Sequence, residues 1–186
     1  VTSNRLAQLS QRMAAVTLFL IVAMLAINVV LWLFPFLAAK DGWGLGFALT
    51  DRQLSHITDK AMLFPWWQIL GGILLSSVPL LALAYGLGNL RRLFRNYSRG
   101  EYFSSESAVH LGLVGRGVAL WVLLDFLCEP VLSFWVTMNE PVGERLITLS
   151  VTAPTFVALF LAACISIIAR ILRQASEVDS EYRTFV

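Results

Sequence analysis

Charge is what this sequence has least of. Asp, Glu, Lys and Arg make up 14% of its 186 residues against 58% apolar residues, and the mean hydropathy is +0.72. A soluble domain carries about a quarter charged residues, so the composition excludes an ordinary water-soluble fold and places the chain in the membrane class. Histidine is scarcer still: His56 and His110 are the two in the chain, and they fall on opposite sides of the membrane in the topology derived below. Neither a bis-histidine haem within one chain nor a clustered histidine metal site is therefore expected. The two cysteines, Cys128 and Cys164, lie inside apolar stretches without the CxxC spacing of metal or redox sites, and they read as small hydrophobes. GxSxG and HExxH are missing, and Gly42, Gly44 and Gly46 stand among Trp43, Leu45 and Phe47 rather than in a phosphate-binding loop. We therefore expect no catalytic residue, no metal, no cofactor and no enzyme activity. A formal charge of +2 is too small to point to direct nucleic-acid binding.

What the sequence does have is four long apolar runs. A span requires about 20 mostly apolar residues, because a helix rises 1.5 Å per residue across about 30 Å of hydrocarbon. Four segments qualify, at about 13–38, 62–88, 109–137 and 153–173, within a single integral membrane domain, 1–186. The first is too long for the apolar core of a signal peptide, about 7 to 15 residues, and is expected to be retained; residue 1 is Val, so an initiator or short leader is expected ahead of it. It closes on Trp32, Phe34, Pro35 and Phe36, and the second opens on Phe64, Pro65, Trp66 and Trp67; both aromatic clusters are expected at headgroup level. The second run carries Gly71, Gly72, Ser76, Ser77 and Pro79, the third Gly112, Gly115 and Gly117, and the fourth Ala158, Ala162, Ala163 and Ser166. Small residues at such spacing let helices approach closely in lipid.

Loop charges set the expected topology. Arg5 and Arg12 precede the first span, Arg91, Arg92, Arg95 and Arg99 follow the second, and Arg170 and Arg173 close the fourth. The remaining two loops balance their charges, with Lys40, Arg52 and Lys60 against Asp41, Asp51 and Asp59, and Arg145 against Glu140 and Glu144. Short cytoplasmic loops hold the excess of Lys and Arg, so both termini and the Arg-rich loop are expected inside, in a bacterial inner membrane. The fold class is thus all-α, a four-transmembrane-helix bundle, N-in and C-in. A short outer-surface helix is expected after Thr50, where Gln53 completes a capping box, and an extended segment over 146–152. Leu90, Leu93, Phe94 and Tyr97 alternate with the arginines at helical spacing, which predicts a cytoplasmic interfacial amphipathic helix whose Arg91, Arg92, Arg95 and Arg99 meet lipid phosphates or a partner. Past the fourth span a stripe of Ala175, Val178, Tyr182 and Phe185 predicts that the helix continues into the cytoplasm.

Asp125 and Glu129 are the sharpest chemical feature, four residues apart near the middle of the third span. A carboxylate at that depth costs about 2.5 to 3.5 kcal/mol, so these groups should be protonated, paired, hydrated or turned toward another protein. Two ionised acids one turn apart also repel, which favours a single shared proton. Pro130 follows directly and frees the Phe126 carbonyl beside them. One reading is an intramembrane proton or cation site lined also by Asn28, Gln68 or Ser133; its rival is a hydrogen-bonded clamp between helices or with a partner. Arg116, nine residues before Asp125, lies on the opposite helix face and is expected to snorkel to the inner surface.

The run Leu93-Phe94-Arg95-Asn96-Tyr97-Ser98-Arg99-Gly100-Glu101-Tyr102-Phe103-Ser104, followed by a helix with Gly115 near its start, resembles a widespread bacterial family of four-helix membrane proteins of unknown function. Arg170 and the closing Glu181-Tyr182-Arg183-Thr184-Phe185-Val186 are similar to that family's ending, so the resemblance covers most of the chain. It implies a gene neighbour of the small Cro/CI helix-turn-helix type and so a regulatory setting; it carries no catalytic residues. Two functions are therefore expected to compete. The first is a non-enzymatic interaction or accessory protein bound to lipids and to a protein partner or a second copy, and the second is a small proton, cation or solute carrier built on Asp125 and Glu129.

Overall fold

A computed structural model describes residues 2–34, 65–99, 105–139 and 153–184. These form four helices: α1 (Thr2–Leu33), α2 (Trp66–Ser98), α3 (Ser105–Thr137) and α4 (Ala153–Thr184). Each is 32 or 33 residues long, about 48–50 Å at 1.5 Å per residue, and so overshoots a hydrocarbon layer of about 30 Å by several turns. All four contain a stretch long and apolar enough to cross a membrane, and the protein is a multi-pass membrane protein. The outer-surface helix and the extended segment expected at 146–152 lie outside the described residues.

Proline sets three of the helix ends. α1 stops at Leu33, ahead of Pro35, where the ring would clash with another helical turn. α2 starts directly after Pro65, whose carbonyl accepts from the backbone amides of Gln68 (2.9 Å) and Ile69 (3.3 Å). α4 carries Pro154 in its first turn, where the missing amide has no partner to lose. Pro79 and Pro130, by contrast, sit inside continuous helices, as membrane helices tolerate when neighbours satisfy the freed carbonyl. The Arg-bearing turns after the second span are a continuation of α2 itself. Nothing between Leu87 and Arg91 removes a backbone amide, and Leu93 on their apolar stripe is buried in protein.

The helices contribute to two compact units. The first comprises Val1–Ile21, Ala82–Leu120 and Ala153–Val186. Within it the second half of α2 meets α3 with no side chain between them at Gly86 and Gly117, and α3 meets α4 through Gly112 against Ala169 and Gly115 against Ala162 and Ser166. The second unit comprises Val22–Leu81 and Trp121–Thr152. Its core is Trp32, Leu132 and Val136, flanked by Ile69, Ile73 and Cys128. Here neighbouring glycines of α2 seat two indoles from different helices, Trp32 of α1 on Gly72 and Trp135 of α3 on Gly71. Trp32 is therefore a core residue, 0% exposed, rather than part of the headgroup belt expected from sequence, whereas Trp66 is 74% exposed.

Candidate functional site

Polar side chains inside lipid-spanning helices are the natural place to look for function, since each must justify its desolvation. In the second unit they fall into two rungs. The first is at the Trp66 end. Gln68, fully buried in the first turn of α2, donates from Nε2 to the carbonyls of Trp135 (3.1 Å) and Val136 (2.9 Å). α3 ends at Thr137, so these carbonyls belong to its last turn and have no partner within the helix. Gln68 is thus a C-terminal cap supplied by another helix. Trp135 Nε1 returns a bond to the Gln68 carbonyl (3.1 Å), Asn139 Nδ2 donates to Gln68 Oε1 (3.2 Å), and the Trp135 ring stands edge-on to Trp67 at 5.8 Å and 86°.

The second rung lies about 12 Å further along α2, eight or nine residues on. Asn28 Nδ2 donates to Ser77 Oγ (3.2 Å), and Trp32 Nε1 donates to Ser76 Oγ (3.1 Å). α2 and α3 run antiparallel, and the contacts of Gln68 and Gly71 with Trp135 bring Glu129 to the level of Ser76 and Ser77. Glu129 is 3% exposed, Ser133 one turn away is equally buried, and Asp125 is half-buried. Neither acid is without a partner. Of the polar residues grouped by sequence, Asn28 and Glu129 therefore share a level, while Gln68 belongs to a different rung with a capping job of its own. Among the described residues no three His, Cys, Asp or Glu side chains come together as a metal site would require.

The arginines of α2 also divide. Arg92, Arg95 and Arg99 are exposed, as headgroup or partner contacts should be, but the Nε of Arg91 is buried without a hydrogen bond, as is the Nδ2 of Asn96. Arg91 is thus turned partly into the protein. Nearby, His110 Nδ1 lies 3.1 Å from Asn89 Oδ1, and its Nε2 lies 3.5 Å from Glu106 Oε1. The Glu106 contact is legible as a four-residue helical spacing; the Asn89 contact depends on how α2 and α3 pair. The same holds for Trp32, whose indole bond to Ser76 has no sequence signature. Cys128 and Cys164 are both free and half-buried.

A family model matches residues 2–184 of the chain, and its description is a protein of unknown function, DUF2975. No curated protein matches, and no solved structure does.

Proposed function

Because this chain belongs to the DUF2975 family, whose function is unknown, no activity comes with membership, and we propose that it is a non-enzymatic accessory protein of a bacterial inner membrane, with both termini cytoplasmic, that binds a protein partner or a second copy of itself. One observation carries this reading: the intramembrane polar groups are engaged in holding helices together. Gln68 caps α3, Asn28 ties α1 to Ser77, and Trp32 ties α1 to Ser76. Interhelical bonds of this kind contribute about 0.6 kcal/mol on average in lipid, and up to about 1.7, which suits a scaffold. Partner-facing surface remains in the exposed Arg92, Arg95 and Arg99 of α2 and in the long projection of α4 to Thr184, and a regulatory role accords with these helical extensions.

Crosslinking in native membranes followed by extraction in mild detergent tests the proposal. A stoichiometric partner or a homodimer is expected; recovery of a lone, uncrosslinked monomer overturns it. The second reading, a small proton, cation or solute carrier, draws on Glu129 lying buried at the level of Asn28 and Ser77. Flux into proteoliposomes and thermal stability, measured together on Asp125→Asn with Glu129→Gln, separate the two. A clamp loses stability or its partner, whereas a transport site loses flux with stability retained.

A further inference from the structure

Three guanidiniums line one cavity of the first unit, and among the described residues of its lining there is no carboxylate. Arg116 of α3 and Arg170 and Arg173 of α4 line a hollow of about 320 Å³ in the groove between the two helices, together with Val109, Gly112 and Ser166. That volume is at the lower end of the range of small-molecule sites, about 300–1,000 Å³. The hollow follows from how the seam is packed. Gly112 faces the Cβ of Ala169, and a Cβ on Gly115 would lie 2.6 Å from Ser166 Oγ and 2.9 Å from the Ala162 carbonyl, so the backbones run close, and the longer arginines line the hollow beside them. Ser166 Oγ is tied back to the Ala162 carbonyl at 2.8 Å.

Converging positive charges repel unless an anion lies between them, and guanidinium forks match the oxygens of a phosphate. Arg116 and Arg170 are exposed toward this space; Arg173 has a further interaction of its own, which makes the first two the primary ligands. The surroundings decide where such a phosphate comes from. One helical turn beyond Arg116 on α3 stands Leu120, 45% exposed, and one turn beyond Arg170 in the same direction on α4 stands Ile167, 58% exposed. Both belong to membrane-crossing stretches, and Val109 in the cavity wall is itself 44% exposed. Cationic groups followed at once by open apolar surface on both helices match a molecule with a phosphate at one end and a hydrocarbon chain at the other.

We propose that the α3–α4 groove is a headgroup site for an anionic phospholipid, its phosphate held by Arg116, Arg170 and Arg173 and an acyl chain lying along Leu120 and Ile167. This site is independent of the polar rungs and of the accessory-protein reading. The test uses the delipidated full chain in mild detergent, titrated in three arms with phosphatidylglycerol, phosphatidylcholine and inorganic phosphate, and read by native mass spectrometry and thermal stability. One phosphatidylglycerol per chain should be retained in preference to phosphatidylcholine. Arg170→Gln should weaken it by about tenfold, as loss of a charge-assisted hydrogen bond does, and Arg116→Gln with Arg170→Gln by more. Arg12→Gln, an equal loss of charge at an exposed position of α1, should leave it unchanged. As a measurement that removes no charge, a photocrosslinker placed at Val109 should label phosphatidylglycerol. Equal binding by the double variant, an equal loss in Arg12→Gln, inorganic phosphate matching the lipid, or no lipid labelling from position 109 would each overturn the proposal.

Discussion

The contact between Gly86 and Gly117 makes a prediction whose direction and size both follow from the geometry. A Cβ built on Gly117 falls 2.5 Å from the Cα of Gly86 and 2.8 Å from its amide nitrogen, so the clash is with backbone, which cannot rotate away as a side chain could. The reverse substitution is milder, because a Cβ on Gly86 lies 3.3 Å from the Gly117 Cα, and Gly88 offers a control with nothing within 4 Å. Overpacking costs about 1–3 kcal/mol, and a rigid backbone neighbour puts Gly117→Ala near the top of that range. Alanine in place of glycine returns about 0.5–1 kcal/mol of helix stability, which leaves a net loss of about 2 kcal/mol. For a chain of this length that corresponds to a fall of roughly 4–8 °C in Tm. Gly88→Ala keeps the helix gain alone and should raise Tm by about 1–4 °C. Thermal denaturation followed by size-exclusion chromatography should rank Gly88→Ala above wild type, Gly117→Ala lowest, and Gly86→Ala between the two. If Gly117→Ala melts with Gly88→Ala, the two backbones do not meet there and the packing described for the first unit is wrong.

Three further outcomes are expected from the same protein. Gln68→Leu removes the donor to the Trp135 and Val136 carbonyls and the acceptor for Asn139, and the orphaned groups should cost about 1–3 kcal/mol in the same melting assay. A variant indistinguishable from wild type would mean that water or lipid satisfies those carbonyls equally well. Gly72→Ala drives a methyl into the Trp32 ring, and since Trp32 is fully buried and bonded to Ser76 the substitution should destabilise; pairing it with Trp32→Leu, which vacates the ring volume, should restore part of the loss, and an additive double variant would count against the contact. Reporter fusions after Val186 and after Arg99 should both read as cytoplasmic, following the arginine excess, and an external signal at either junction would reverse the proposed topology.

The helices were legible because the signals that mark them are local. An uncharged run of sufficient length, Pro65 ahead of Trp66 and Pro154 in a first turn each act within a few residues of where they stand. The small residues of α3 and α4 also announced that close contacts exist. What stayed hidden was the pairing: Gly112 could as well have met α2 as Ala169, and only the fold decides. Trp32 shows the same limit. An indole near a span end reads as an interfacial anchor, but Gly72 opens a seat for it forty residues away and Ser76 Oγ accepts a hydrogen bond from its N–H, so a core position is preferred. In sequence Gln68 groups with the acids, because any amide in lipid looks like part of a site, whereas its partners are carbonyls exposed by the ending of a different helix. Asp125 and Glu129 stand out from spacing alone, but the level that Glu129 shares with Asn28 and Ser77 is a property of the antiparallel register.

The two units solve the same physical problem in different ways. Lipid tails are as apolar as leucine, so burying hydrocarbon gives helices little reason to associate, and close packing and hydrogen bonds must supply it. In the second unit large rings fill space over glycine and polar groups bond across helices; in the first, backbones approach through glycine, alanine and serine, and the long cationic side chains are left at the seam. α4 belongs wholly to the first unit, and only 11% of its most apolar stretch is buried, against 33% for α2. A helix held by so little contact gains proportionally from any molecule that bridges it to its neighbour. An anionic lipid gripping Arg116 on one side and Arg170 on the other would do that, so α4 should be the element whose attachment responds most to lipid composition. Hydrogen exchange in nanodiscs with and without phosphatidylglycerol should show its amides slowing most, and a uniform response across α1 to α4 would show that lipid acts on the whole fold and not through that groove.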